Sequence, residues 1–207
     1  MNNEGTIFVV EDDKSVREGI ASLLRSVGQH VDSFDSAKEF LARRDAQRPS
    51  CLVLDVRLPD MSGLELQRRL RAMNDQIPII FITGHGDVPM SVQTMKAGAA
   101  DFLLKPFRDQ DLLESVQAAL RRDRAQQAEQ SDFAVTLANY RSLTDREREI
   151  MKFVVTGLRN KQIACAVGLS EVTVKLHRAQ VMHKMGAASL ADLVRIAVRI
   201  EHAPPTL

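Results

Sequence analysis

The sequence predicts an α/β chain in two parts: a five-stranded parallel (βα)5 domain joined by a helical linker to an all-α unit of four helices. Three observations predict it. Short, β-rich apolar runs alternate five times with amphipathic stretches before residue 122. A polar, helix-forming segment follows, and then a series of capped amphipathic segments. The charge divides at the same place: residues 1–120 hold 14 Lys and Arg against 18 Asp and Glu, a net of −4, while residues 121–207 hold 14 against 9, a net of +5.

The strands are predicted at Thr6 to Val10, His30 to Phe34, Cys51 to Leu54, Pro78 to Thr83 and Phe102 to Leu104. Helical patterns lie near Lys14 to Val27, Ser36 to Arg44, Gly63 to Met73, Val88 to Ala97 and from Asp109 onward. Strands as continuously apolar as TIFVV and CLVL need cover on both faces, which a parallel sheet sheathed in helices provides. Such sheets bind ligands at the carboxyl ends of their strands. The first domain is expected over 1–122 and a helical linker over 123–141, where RRDRAQQAEQSDFAVTLANY lacks a sustained apolar stripe. Over 142–202, Thr144 and Glu147 form a capping box before a helix ending at Gly157. Asn160 is expected to cap a second helix ending near Gly168, and Ser170 a third running to Lys184. The fourth spans Leu190 to Ile200.

At 207 residues, 44% hydrophobic and 27% charged, the composition is that of globular protein. No run approaches the roughly 18 apolar residues of a membrane span, and MNNEG opens no secretory signal, so a cytoplasmic location without a membrane partner is expected. Cys51 and Cys165 lie in apolar runs and read as buried, reduced thiols rather than a disulfide or metal pair.

Polar residues stand where the apolar strands end: Glu11, Asp12 and Asp13 after the first, Asp55 after the third, Thr83 closing the fourth, and Lys105 with Pro106 after the fifth. In a parallel sheet these converge on one edge. Gathered carboxylates repel unless a cation neutralises them. A hard, oxygen-seeking ion, Mg²⁺ above all, suits the cluster, and Lys105 supplies a second countercharge. The chemistry this serves is phosphoryl transfer to a carboxylate, with Asp55 as nucleophile and acidic neighbours left for the metal.

The segments VVEDDKSVREGI, LVLDVRLPDMSGLEL and IIFITGHGDVPMSVQTMKAGAADFLLKPF resemble the receiver domains of two-component response regulators, most closely the FixJ type, over residues 4–122. The resemblance implies a flavodoxin-like, CheY-like fold, phosphorylation of Asp55 by a sensor histidine kinase, and phosphoryl contacts from Thr83 and Lys105. It also implies Mg²⁺ held by Glu11, Asp12, Asp55 and the backbone carbonyl of Arg57. Asp13 is an extra carboxylate, and only register, with Arg17 five residues after Asp12, decides which two of the three serve the metal. The Lys105–Pro106 peptide is implied to be cis, and Phe102 to be a switch aromatic that moves inward with Thr83.

In the C-terminal unit, two helices joined by a short Gly-containing turn give a helix-turn-helix, whose second helix enters the major groove. On that helix Val174, Val181 and Met185 share a face and are expected in the core. The other face carries Val172, Lys175, Leu176, Ala179, Gln180 and His183, apolar and basic with no acid, which suits thymine methyls and base edges. Candidate DNA contacts are Lys175, Leu176 and Gln180, with Thr173, His177 and Lys161 placed for phosphates. LTDRE, NKQIA and SEVTVKLHRAQVMHKM resemble the LuxR or NarL class of DNA-binding domains, which implies a homodimer on a two-fold DNA site. Ala179 departs from members with a basic residue there. His177 and His183, six apart, do not share a face as zinc ligands would.

The function expected is therefore a phosphorylation-switched transcriptional regulator, not an enzyme, with double-stranded DNA, a sensor histidine kinase, a second copy and RNA polymerase as partners. The alternatives are an aspartyl-phosphate phosphohydrolase and a phosphorylation-independent regulator. The hydrolase pattern wants a second Asp two residues after the nucleophile, where this chain has Arg57.

Overall fold

A computed structural model describes residues 5–44, 49–84, 94–95 and 97–202. The chain divides into two units, Met1–Ala128 and Glu129–Leu207. In the first, β1 (Thr6–Val10), β2 (His30–Phe34), β3 (Ser50–Asp55), β4 (Ile79–Thr83) and β5 (Asp101–Leu104) form one sheet in the order β2-β1-β3-β4-β5. Every pairing is parallel, with Val10 level with Leu54 and Asp55 level with Ile82.

The central strands are buried along their whole length. Because side chains alternate across a strand, each strand feeds two cores. Ile7, Val9, Cys51, Val53, Ile80 and Ile82 pack on one side with α1 (Lys14–Ser26). Phe8, Val10, Leu52, Leu54 and Phe81 pack on the other with α2 (Ala37–Arg43) and α3 (Gly63–Ala72). There Phe8, Phe34 and Phe40 meet edge to face or tilted, with centroids 5.5–6.2 Å apart. Asp13, Ser36 and Ser62 cap α1, α2 and α3. The helix predicted over Val88 to Ala97 lies largely outside the described residues.

Where sequence pattern separates a last receiver helix from a linker, the structure has one helix, α4 (Asp109–Arg141), of 33 residues. Its first part buries Leu112, Val116, Ala119 and Leu120 against the sheet. Loss of the apolar stripe beyond Leu120 removes packing, but good helix formers carry the helix onward.

The second unit holds α5 (Asp145–Val155), α6 (Asn160–Val167), α7 (Glu171–Lys184) and α8 (Leu190–Glu201) around a core of Ile150, Val154, Ile163, Val174, Val181 and Leu193. Thr144 and Glu147 cap α5 reciprocally, the backbone N–H of Glu147 donating to Thr144 Oγ1 and that of Thr144 to the Glu147 carboxylate. Two expectations are corrected. Asn160 is the first residue of α6 rather than its cap; Arg159 precedes the helix, its N–H donating to Gln162 Oε1 at 2.9 Å, and Asn160 Oδ1 accepts from Arg178 instead. Cys165 is exposed, because Ile163 and Ala164 carry the core face of α6 and its neighbour turns outward; Cys51 is buried, and burial pushes its thiol pKa up. Among the described residues no helix is long and apolar enough to cross a membrane.

Candidate functional site

The parallel order brings the ends of β1, β3, β4 and β5 to one rim. Lys105, just past β5, reaches across it: its ammonium donates to Asp55 Oδ2 at 2.7 Å and to Glu11 Oε2 at 2.5 Å. Asp55 Oδ1 accepts from the Arg57 N–H at 3.0 Å, which fixes the carboxylate plane. Arg17 Nη1 donates to the Glu11 carbonyl at 2.6 Å and the Asp12 carbonyl at 3.1 Å, pinning the turn that carries the acidic pair. The Lys105–Pro106 peptide is cis.

Oxygens of Glu11, Asp12 and Asp55 lie within 4.8 Å of one another, close enough to share one cation. Asp13 does not join them. Its Oδ1 accepts from Ser15 N at 2.8 Å, Ser15 Oγ at 2.5 Å and Val16 N at 3.1 Å, and these bonds hold its pKa below the ordinary carboxylate value. The sequence left three candidates for two places; the helix cap accounts for the third.

Three carboxylates face one ammonium, and two of them, Glu11 and Asp55, are buried. Burial pushes the Glu11 carboxyl above its ordinary value, with the Asp55 charge adding to the rise and the Lys105 bond opposing it. Burial alone would lower Lys105, but its bonds and attraction to Asp55 and Glu11 outweigh that and hold the ammonium above its ordinary value. The rim is thus under-neutralised by protein groups, and its all-oxygen donor set fits a hard divalent cation.

Thr83 ends β4 in full burial, level with Leu104, and its carbonyl accepts from Lys105 N at 2.8 Å. Phe102 lies beside Phe81 in the sheet and is half-buried against the second core. Gly63, at the start of α3, is a residue that motif reading left without a role. A Cβ there would sit 2.5 Å from the Asp55 carbonyl, and its N–H donates to Val56 O at 2.9 Å, so only glycine lets α3 start against the strand that carries Asp55.

In the second unit α6 and α7 are joined by Gly168 in the left-handed conformation (φ 66°), Leu169 and the α7 cap Ser170. Val174, Val181 and Met185 are buried, and Val172, Lys175, Leu176, Ala179, Gln180 and His183 are exposed, as the wheel predicts. Val172 stands 79% and Leu176 60% exposed, an outward apolar pair with no core to join. Lys161 on α6 is exposed; Thr173 and His177 are half-buried on the flank. Sequence reading missed the tie behind this helix, where Lys184 Nζ donates to the buried Glu147 carboxylate at 2.7 Å.

Comparison with known proteins agrees with both halves. Residues 7–117 match the response regulator receiver domain family, and residues 141–197 match the bacterial regulatory proteins of the luxR family. The chain is 53% identical over 196 residues to Nodulation protein W of Bradyrhizobium diazoefficiens, covering 95% of this chain and 86% of that one. It is 45% identical over 193 residues to the transcriptional regulatory protein FixJ of Rhizobium meliloti, covering 93% and 95%. Its structure is similar to that of the response regulator StyR, with TM-score 0.86 and 47% identity over 95% of this chain and 99% of that one.

Proposed function

The chain belongs to the response regulators, with a receiver domain and a LuxR-family DNA-binding domain, and from that premise we propose that Asp55 accepts a phosphoryl group from a sensor histidine kinase and so controls DNA binding by α7. We assign 1–122 to the receiver, 123–141 to the linker and 142–202 to the effector.

The observation that carries the reading is the Lys105 ammonium shared between Asp55 and Glu11, with Asp12 within reach of the same cation. Asp55 is the nucleophile: a carboxylate oxygen attacks phosphorus, the bond to the kinase's histidine nitrogen breaks, and the imidazole keeps the electron pair. Mg²⁺, held by Glu11, Asp12, Asp55 and the Arg57 carbonyl, would neutralise charge on the phosphoryl oxygens when bound. Lys105 then follows the phosphoryl group, since the carboxylate that it bonds becomes an acyl phosphate bearing roughly −1.5 to −2 charge. Thr83 bonds a phosphoryl oxygen, and Phe102 turns into the space that its movement opens.

In the effector, α7 presents Lys175, Leu176 and Gln180 to base edges, while Lys161, Thr173 and His177 meet phosphates. Phosphorylation drives homodimerisation on a two-fold site, α8 contributing to the contact; RNA polymerase is the downstream partner. The reading is tested by DNA affinity of the full chain with and without beryllofluoride and Mg²⁺. Wild type gains affinity and dimerises; Asp55→Asn does neither. Equal gains in both would refute phosphoryl control through Asp55.

A further inference from the structure

Beyond this reading, we propose that the cavity between the end of α3, the entry to β4 and α4 binds a small organic anion bearing a carboxylate or phosphoryl group. It encloses about 320 Å³, within the range of small-ligand pockets. Ile77, Pro78 and Ile79 line it, so it opens at the amino end of β4, whereas Asp55 stands level with Ile82 near the carboxyl end.

Its charge is unbalanced. Arg71 and Arg122 line it, and neither forms a salt bridge among the described residues. Asp75 also lines it but is committed to Arg44 and to the Ile77 N–H, which donates to it at 3.0 Å. Among the described residues, then, no carboxylate is paired with either guanidinium at this partly enclosed recess, whose low-dielectric walls focus their field. A guanidinium presents paired donors that fit carboxylate and phosphate oxygens.

Arg71, exposed at the end of α3, reaches over Gly98. Its guanidinium lies where a Cβ on Gly98 (φ 80°) would be, so the glycine makes room for it. The side-chain amides of Gln126 and Gln76 meet across the rim and close one wall. Ile77, Pro78 and Ile79 form a small apolar floor at the start of β4 within an otherwise polar wall, against which a short carbon stem behind the anionic head can rest. Since Arg71 belongs to α3 and Arg122 and Gln126 to α4, an occupant held by both arginines clamps the two helices to the start of β4.

The test uses the full chain with butyrate, butyl phosphate and inorganic phosphate, each matched for ionic strength with sodium chloride. Thermal midpoint and the Gly98 amide resonance are followed. At least one of the two organic anions is expected to saturate, raising the midpoint of the first unit by roughly 5–10 °C at a hundredfold excess over Kd and moving Gly98. Butyrate acting alone assigns a carboxylate ligand, and butyl phosphate acting alone a phosphoryl one. Arg71→Gln and Arg122→Gln, both at exposed positions, each weaken binding about tenfold, while Asp55→Asn binds as wild type does. The proposal fails if neither organic anion saturates beyond the chloride control, if the double arginine variant binds as tightly as wild type, or if Asp55→Asn abolishes binding.

Discussion

Lys184, at the last turn of α7, donates to the carboxylate of Glu147 on α5 at 2.7 Å, and the same Oε2 accepts the Thr144 N–H at 2.8 Å. One buried oxygen therefore caps α5 and anchors the end of the helix that we assign to the major groove. Glu147→Ala leaves the Thr144 N–H and the Lys184 ammonium without their acceptor. The expected cost is about 1.5–3 kcal/mol, read from denaturant unfolding of the second unit. Lys184→Ala should cost less, because the Thr144 bond survives.

The same pair fixes an acid response. The Lys184 bond first, and then the Thr144 N–H, hold the Glu147 carboxyl below its ordinary value of 4.5. A depressed acid contributes stability that is full above the unfolded-state value and is lost as pH falls through the folded one. Stability of the second unit should drop below about pH 4.5, and Glu147→Gln should flatten that drop. An unchanged acid limb in the variant would assign the response to other carboxylates.

Gly63→Ala tests the contact behind Asp55. A Cβ 2.5 Å from the Asp55 carbonyl meets backbone, which cannot swing aside as a side chain can. The substitution should cost about 1–3 kcal/mol and slow phosphorylation of Asp55, because the strand end must shift. Wild-type stability and labelling would show that α3 yields instead.

Asp123 on α4 is buried and accepts from Ser50 N at 2.7 Å and Gln127 Nε2 at 2.6 Å. It ties α4 to the first residue of β3. Asp123→Ala should destabilise the first unit by about 1–3 kcal/mol by orphaning the Ser50 N–H, while Asp123→Asn, which retains an acceptor oxygen, should cost less.

Lys161→Ala on α6 and Leu176→Ala on the exposed face of α7 should leave folding intact and weaken DNA binding, for different reasons. Loss of a phosphate-contacting Lys lowers the salt slope of log Kobs by about one; loss of a base-reading side chain relaxes sequence preference without changing that slope. Melting and affinity series over salt and sequence separate the two outcomes. Unchanged binding in both would remove α7 from the groove.

Much of this was legible in the chain because apolar periodicity is a strong signal. The fully buried strands and the inward Val174, Val181 and Met185 follow from the pattern of period two or 3.6, and local caps such as Thr144 with Glu147 are short-range. The convergence of Glu11, Asp55 and Lys105 followed from parallel strand order. What escaped depends on distance in sequence. Nothing near Lys184 indicates Glu147, 37 residues away, nor does anything near Ser50 indicate Asp123, 73 residues away. The two local misses, Asn160 as a cap and Cys165 as buried, come from a short helix whose start shifts by one residue and whose eight residues set the core face too weakly for composition to locate it.

The central claim is that Asp55 carries a phosphoryl group at a rim where Lys105 and the acidic pair meet. Intact-mass spectrometry of the full chain after incubation with acetyl phosphate tests it most directly. Wild type should gain one base-labile phosphoryl group, dependent on Mg²⁺, and Asp55→Asn should gain none. Equal labelling of the variant, or none of the wild type with Mg²⁺ present, would contradict it.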